Sequence, residues 1–165
     1  MRQTSVFVAI AFLAGLGIGF FSGRTGRETS LSRDTHAVDL AGIDKLHQED
    51  IRVTLLQDPK GLVDIWTEDA VRFIPGSSPD VGKQAIQATN EKGRAEYPGF
   101  KVLSYVPKYK NIQIEGGLAC EWGEHNAQYE LSPGAPPASL NVKGFDVLRR
   151  QSDASWKFAV LIADQ

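Results

Sequence analysis

Two residues with acid–base side chains, Glu121 and His125, lie four positions apart in a stretch rich in strand-forming residues. Side chains alternate between the two faces of a strand, so this pair shares one face with the small residues Ala119, Gly123 and Ala127. The small residues leave room for a ligand. The pair is separated by about 13 Å at ~3.3 Å per residue, so each side chain needs a different hydrogen-bond partner. A solvated strand face fits the same pattern.

A third residue with chemical potential, Asp50, lies within an apolar helical stripe. Ile43, Leu46 and Val53 recur at steps of three and four residues, which predicts an amphipathic helix whose inward face includes Asp50. The helix should end at Asp58–Pro59, because the residue before a proline avoids the helical region. A carboxylate on such a face is either a functional base or one half of a structural ion pair.

The predicted helices and strands that carry these residues follow an α+β order. Three helices come first, with a strand between the second and the third. The chain then changes to the two-residue alternation of β-strands, which predicts a four-stranded antiparallel meander. The predicted helices span Asp39 (as the N-cap) to Gln57, Pro59–Trp66 and Lys83–Ala95, and the predicted strands span Ala70–Ile74, Lys101–Ile114, Leu118–Leu131, Ser139–Arg150 and Trp156–Ala163.

The last predicted strand is apolar on both faces. Strict alternation places Trp156, Phe158, Val160 and Ile162 on one face and Ala159, Leu161 and Ala163 on the other. One face can cover the domain's interior, and the other needs a different cover, for which a second copy of the chain is the simplest choice. The pattern therefore predicts a homodimer.

Composition excludes several classes of site. The net charge of −2, with no basic block, argues against a nucleic-acid partner. A single cysteine, Cys120, excludes an intramolecular disulfide, and we interpret it as a small buried side chain. The histidines at 36, 47 and 125 lack the short spacings of metal sites, and His47 is expected to be exposed. We therefore expect no metal, and no cofactor motif is present.

The amino end predicts targeting. An uninterrupted run of apolar and small residues covers positions 6–21, and residues 1–23 are interpreted as a signal peptide or membrane anchor. Residues 24–38 are polar and lack periodicity, which predicts a linker, and residues 39–165 form the folded domain. Export is the preferred interpretation, with an extracytoplasmic location, periplasmic or secreted, and possible retention at the membrane through residues 6–23.

Three stretches carry a family resemblance. The run from Trp66 through Asp69-Ala70-Val71 to the Gly82–Ile86 segment, the hairpin GGLACEWGEHNAQYEL and the closing GFDVLRRQSDASWKFA resemble the nuclear transport factor two-like superfamily. This superfamily includes the SnoaL-like and ketosteroid-isomerase-like domains. The resemblance implies a cone-shaped curved antiparallel sheet wrapped round three N-terminal helices, with a ligand pocket inside. It also implies that the outer sheet face forms a dimer.

The resemblance also shows where the isomerase pattern is broken. Its catalytic base would fall on Ile74, which cannot move a proton, and this argues against a classical ketosteroid isomerase. Its two acidic-proton donors would fall on Asp50 and near Lys143, which we expect to form an ion pair within the cone. The candidate catalytic residues are Asp50 and Glu121, and the candidate ligand-binding residues are Trp66, Asn90, Tyr105, His125, Lys143 and Phe145.

The sequence thus leaves three functions open. The first is a SnoaL-like domain that binds a small apolar or amphipathic molecule in its cone, as a dimer and without turnover. The second is a lyase or isomerase that uses Asp50 or Glu121 as a replacement base. The third is an assembly module whose pocket is filled by side chains.

Overall fold

The computed structural model describes residues 28–164, with side chains described from residue 35 onward. The element order confirms the predicted α+β class. The helices are α1 (Glu28–Leu56), α2 (Gly61–Asp64) and α3 (Lys83–Glu96), and the strands are β1 (Trp66–Phe73), β2 (Asp80–Val81), β3 (Lys101–Glu115), β4 (Leu118–Glu130), β5 (Ala138–Arg150) and β6 (Trp156–Asp164).

The strands form one curved six-stranded sheet in the order β2-β1-β6-β5-β4-β3. Strands β3 to β6 make the predicted antiparallel meander. Strand β1 joins β6 in parallel, and α3 lies between β1 and the meander in the chain. Helix α1 packs against β3 and β6, and α3 packs against β1 and β2. One face of the sheet, here called the concave face, is thus covered by helices, and the other is called the outer face.

The apolar core lies at one end of the concave face. Helix α1 contributes Ile43, Leu46 and Val53, which are all buried, as the helical stripe predicted. The sheet and the other helices contribute the rest of the core: Ile65, Trp66, Ala70, Ile86, Ala119, Leu148, Trp156 and Phe158. Because this core anchors the middle of α1 to the sheet, it fixes which neighbouring α1 side chains face the strands.

The ends of three elements differ from the predicted ones. Helix α1 begins at Glu28, so Asp39 is not an N-cap. It is buried within the helix and accepts a hydrogen bond from Arg150 Nη1 at 3.0 Å. Helix α2 is only four residues long, and β1 begins at Trp66 because that residue pairs with Phe158 of β6. Strand β2, in a predicted loop, forms because Asp80 pairs with Arg72 of β1.

A β-bulge at Ala159 corrects the predicted faces of β6. Val160 pairs with Val147 of β5 and Phe158 pairs with the next residue, Leu148, so Ala159 is the extra residue. An extra residue moves every later side chain to the opposite face. Ile162 therefore lies on the outer face, whereas Leu161 packs against the core.

Within residues 28–164, no helix is long and apolar enough to cross a bilayer. The predicted signal peptide or anchor, residues 1–23, lies outside the described residues. The domain boundary at residues 38 and 39 stays a prediction, although the described helix α1 runs through it.

Candidate functional site

Seven polar side chains meet on the concave face, beside the apolar core. We call them the polar cluster: His47 and Asp50 from α1, Tyr105 and Tyr109 from β3, Glu121 and His125 from β4, and Asp146 from β5. Four of them, the two histidines, Glu121 and Asp146, are buried, and the other three are partly exposed. Buried titratable groups are rare unless they are paired or functional.

Simple periodicities bring these residues together. His47 and Asp50 are three residues apart on a helix, so they share its inward face. The two tyrosines are four apart on β3, and Glu121 and His125 are four apart on β4, so each pair shares one strand face. In the ladder between β4 and β5, Asp146 is directly opposite Glu121. Four elements therefore aim polar side chains at one volume.

Asp50 is held by two phenols. Tyr105 Oη donates a hydrogen bond to Asp50 Oδ2 at 2.9 Å, and Tyr109 Oη donates to the same oxygen at 3.1 Å. Burial raises the pKa of Asp50, and the two hydroxyl donors act in the opposite direction. Burial and the nearby Asp50 carboxyl also raise the pKa of both tyrosines, so the phenols stay protonated and keep their role as donors.

His125 continues this chain of hydrogen bonds. Its Nδ1 lies 2.9 Å from Tyr105 Oη. Tyr105 gives its one hydrogen to Asp50, which assigns the Nδ1–H of His125 as the donor to Tyr105 and leaves the lone pair on Nε2. Burial lowers the pKa of His125, and the nearby His47 adds to this effect. The ring is therefore neutral at neutral pH.

Glu121 is paired on one side only. His47 Nε2 donates to Glu121 Oε1 at 2.7 Å, and the His47 ring stacks on Tyr109 with ring centroids 3.6 Å apart. The carboxylate is almost fully buried. Its second oxygen, Oε2, has no hydrogen-bond partner within the described residues.

Asp146 has fewer side-chain hydrogen bonds than any other member of the polar cluster. It is fully buried, and neither of its oxygens has a hydrogen-bond partner in the described part of the chain. Its Oδ2 lies 3.9 Å from His125 Nε2, which is too long for a hydrogen bond. Burial raises the pKa of Asp146 to about 8, and the Glu121 and Asp50 carboxyls act in the same direction. Asp146 is thus mostly a neutral acid at neutral pH.

Two glycines shape the sheet beneath the polar cluster. A Cβ at Gly144 would lie 2.7 Å from His125 Nε2, so the absence of a side chain lets the imidazole lie against β5. A Cβ at Gly123 would collide with the Lys108 backbone, so this glycine permits close approach of β3. Gly144 of β5 therefore accommodates the His125 ring, and Gly123, between Glu121 and His125, accommodates strand β3.

The chemistry available at the polar cluster is hydrogen bonding and proton transfer. It combines a neutral imidazole, a protonated carboxyl, a carboxylate paired with histidine and two phenol donors. Among residues 28–164, no group of three or more His, Cys, Asp or Glu side chains has the arrangement of a metal site.

Solved structures identify the architecture. A ketosteroid isomerase-like protein from Erwinia carotovora atroseptica is 16% identical and aligns over 76% of this chain and 94% of its own, with a TM-score of 0.64. An NTF2-like protein with a cystatin-like fold from Novosphingobium aromaticivorans is 18% identical, over 86% and 90% of the two chains, with a TM-score of 0.66. The chain has the nuclear transport factor two-like fold.

The comparisons at sequence level add no function. No protein-family model matches the sequence, and no curated protein matches it. A further solved structure of the same fold, a putative dehydratase of the NTF2-like family from Streptomyces avermitilis, is 14% identical over 77% of this chain and 96% of its own, with a TM-score of 0.64. At these identities the likeness shows the nuclear transport factor two-like fold alone, so the chemistry has to be argued from the polar cluster.

Four residues singled out by sequence lie together within this fold. Asp50, Tyr105, Glu121 and His125 are all members of the polar cluster, and the predicted need of Glu121 and His125 for separate partners is met by His47 and Tyr105. Their functional roles remain predictions. Their convergence shows that periodicity within single elements located much of the polar cluster.

The predicted ion pair between Asp50 and Lys143 is wrong. Lys143 is exposed on the outer face, where it pairs in the ladder with Glu124. The inward acid of β5 is Asp146, three residues further on, and an odd offset along a strand places the two on opposite faces. Phe145 likewise points outward and is 43% exposed, so it does not line the concave face.

The other predicted positions have structural roles in the fold. Trp66 is a core residue that packs against Phe158, with ring centroids 5.4 Å apart. Asn90 accepts a hydrogen bond at 3.0 Å from Arg72, whose guanidinium also donates to Asp80. Ile74 follows the end of β1 and is 39% exposed. None of these three belongs to the polar cluster.

Sequence reasoning missed three members of the polar cluster: His47, Tyr109 and Asp146. The prediction that His47 is exposed is wrong, because the residue shares the inward face of α1 with Asp50. That three-residue spacing was the available signal, and the four-residue spacing from Tyr105 was the signal for Tyr109. Asp146 is found only through its register against Glu121, which depends on how two distant strands pair.

A groove separate from the polar cluster lies between α1 and the turn that joins β5 to β6. Its volume is about 600 Å³, and its lining includes Gly42, Leu46, Ile65 and Trp156. The charged residues around it are of both signs, Lys45 and Lys157 against Glu49, Asp64 and Asp153. This mixture does not favour any one class of charged ligand.

Proposed function

We propose that the domain binds a small amphipathic molecule on the concave face of its sheet, with the polar group of the ligand against the polar cluster. The observation that carries this proposal is the set of buried, unpaired atoms of Asp146, Glu121 and His125. Burying such atoms without partners costs free energy, and native proteins rarely accept that cost without a function. Apolar neighbours in the ladder, Leu161 beside Asp146 and Val142 beside His125, suit an apolar tail.

This proposal is tested by NMR on the full chain. The side-chain resonances of His125 and Tyr105 are followed while amphipathic molecules of about six to ten carbons and different head groups are added. Binding at the polar cluster should shift both sets of resonances, and Tyr105→Phe should change the affinity. If every molecule that binds shifts only residues of the groove or of the outer face, this function is wrong.

Proton transfer is the second candidate function, in the lyase or isomerase class. The hydrogen bond of 2.7 Å between His47 and Glu121 favours it, because the histidine holds one carboxylate oxygen in place and leaves Glu121 Oε2 free to accept a proton. A neutral histidine and a protonated carboxyl lie beside that pair, so groups with and without an available proton are adjacent. The base is then Glu121 or Asp50.

Exchange of carbon-bound hydrogen for solvent deuterium, in small ketones, tests this candidate. Glu121→Gln should abolish exchange if Glu121 is the base, and Asp50→Asn should do so if Asp50 is the base. Binding of the ketone without exchange, in the unmodified chain, would support the binding function and contradict turnover of this substrate class.

A homodimer through the outer face belongs to the same proposal. Four large apolar residues lie in register across four strands of that face, each 40–45% exposed: Trp122, Phe145, Ile162 and Phe73. We call this row the apolar stripe. The adjacent row is also apolar, with Cys120, Val147, Val160 and Val71. A continuous patch of this kind fits a self-complementary interface between two copies. Sedimentation showing only monomer at tens of micromolar would contradict the dimer.

Export or membrane anchoring through residues 6–23 is also proposed, on the apolar run alone. The full chain should enter the export route or fractionate with membranes. A chain starting at Glu28, where α1 begins, should stay in the soluble fraction with the same circular dichroism as the complete domain. Equal partition of both chains would contradict this proposal.

A further inference from the structure

Four atoms of the polar cluster are buried and have no hydrogen-bond partner within the described residues: Asp146 Oδ1 and Oδ2, Glu121 Oε2 and His125 Nε2. Asp146 and Glu121 are directly opposite in the ladder, and Asp146 Oδ2 is 3.9 Å from His125 Nε2. A single polar atom can lie about 2.8 Å from both members of a pair at this separation. The three side chains therefore outline a position for one polar head group.

This position has more hydrogen-bond acceptors than donors. His125 Nε2 is an acceptor, because Nδ1 holds the ring hydrogen that is donated to Tyr105. Glu121 Oε2 is an acceptor, and Asp146 offers at most one hydrogen between its two oxygens. The side chains thus supply several acceptors and a single donor. A ligand that satisfies them must bring N–H or O–H groups.

The charges around this position also argue against an anionic ligand. The polar cluster has three carboxyl groups and two histidines and includes no lysine or arginine. The nearby cation of β1, Arg72, is held by Asp80 at 2.7 Å and by Asn90. A carboxylate or phosphate ligand would therefore meet acceptors of its own sign.

We propose that this position binds a primary ammonium group, held between Asp146, Glu121 and His125, so that the domain selects an amphipathic amine. An ammonium group has three N–H donors and a positive charge, and both match the acceptors around it. The inference rests on the proposed binding function and narrows its ligand to one chemical class.

Binding should release a proton. The other titratable groups of the polar cluster are Glu121, Asp50, His47, His125, Tyr105 and Tyr109. Burial raises the pKa of Asp146 to about 8, and the Glu121 and Asp50 carboxyls act in the same direction. An adjacent cation favours the ionised carboxylate. The affinity for an amine should therefore rise between about pH 6 and about pH 8, because fewer Asp146 protons have to be displaced. An alkylammonium ion stays charged over this range.

The test is calorimetry on the full chain with three probes of equal length, hexylammonium, hexanol and hexanoate. Hexylammonium should bind most tightly, and its affinity should rise with pH. At neutral pH the heat should differ between buffers of different ionisation enthalpy, which reports proton release. Asp146→Asn should weaken hexylammonium binding about tenfold or more and remove the buffer dependence. Asp44→Asn, an exposed site on α1, is the matched control and should change neither.

Three results would overturn the inference. Tighter binding of hexanol or hexanoate, with shifted His125 resonances, would refute amine selectivity and leave the binding function intact. Weak hexylammonium binding that Asp146→Asn does not alter would indicate adventitious association. Absence of hexylammonium binding would also refute the inference, and the survey of other head groups would then decide separately whether the polar cluster binds any ligand.

Discussion

The two faces of β4 and β5 reverse the usual distribution of polarity. Glu121 and Asp146 point to the concave face and are almost fully buried, whereas their sequence neighbours Trp122 and Phe145 point outward and are each 43% exposed. In an ordinary antiparallel sheet the buried face is apolar and the exposed face is polar. Residues one position apart therefore break the rule in opposite directions.

This contrast favours the two proposals made above, ligand binding on the concave face and dimerisation through the outer face. A buried polar face needs partners for its hydrogen-bonding atoms, which the polar cluster supplies only in part. An exposed apolar face needs a cover, which a second copy would provide. The concave face is itself divided, since Leu148, two residues after Asp146, belongs to the apolar core. The packing that stabilises the fold is therefore concentrated at one end of the sheet. The polar cluster, whose hydrogen bonds are incomplete, lies next to it.

The largest expected effect comes from removing the carboxylate that pairs with His47. Glu121→Leu should lower the free energy of unfolding by about 3 kcal/mol, because it leaves the buried imidazole without its partner. Glu124→Leu, on the outer face of the same strand, is the control and should have a much smaller effect because its ion pair with Lys110 is exposed to solvent. Urea denaturation measures both. Equal losses would mean that the two faces do not differ as described.

The second-largest expected effect is a pH-dependent loss of folding stability that is caused by Asp146. Its pKa is about 8 in the folded chain and about 4 in an unfolded one, so the folded state binds more protons between these values and stability falls as pH rises. From about pH 6 to about pH 9 this group should cost about 2–3 kcal/mol. Asp146→Asn should remove that loss, since the amide cannot ionise, and Asp44→Asn should retain it. Identical pH profiles for all three chains would contradict the burial of Asp146.

A smaller loss is expected when Gly144 gains a methyl group. The added Cβ of Gly144→Ala would displace the His125 ring and weaken its hydrogen bond to Tyr105, at a cost of about 1–2 kcal/mol. Gly117→Ala is the control, because a Cβ there meets no atom within 4 Å. Chemical denaturation gives the cost, and the His125 NMR signal shows whether the ring has moved. An unshifted signal would mean that the ring does not lie over Gly144.

The smallest effect on folding should come from the outer face. Phe145→Lys should change the stability of the monomer by no more than about 0.5 kcal/mol, because the site is half exposed, but it should abolish dimerisation. Val106→Lys, exposed on β3 and outside the apolar stripe, should leave the dimer intact. Sedimentation equilibrium compares the two variants. Loss of dimer in both variants would place the interface elsewhere.

Sequence alone located most of the fold. The four meander strands were predicted to within a residue or so of their observed ends, because alternation is long and the turns carry clear signals, such as Glu115–Gly117. Short elements were less well predicted, since β2 forms only through its pairing with β1. The bulge at Ala159 has no local signal at all, because it exists only in the register between β5 and β6.

Members of the polar cluster were predicted only where the pattern within a single helix or strand was enough to identify them. Asp50 stood out within its helical stripe, and Glu121 and His125 stood out by their spacing on a single strand. The partners of these residues come from other elements, and their identity depends on long-range register. This explains why Asp146 was missed. Lys143 was chosen from the family resemblance, and His47 was expected to be exposed although its three-residue spacing from Asp50 was a signal within one helix.

A crystal structure of the full chain grown with hexylammonium would show whether the concave face carries the binding site. We expect electron density for the amine within about 3 Å of Asp146, Glu121 and His125, with its alkyl chain along the apolar neighbours in the ladder. Density only in the groove or on the outer face would contradict it. So would a direct hydrogen bond between Asp146 and His125 that leaves no position for a head group.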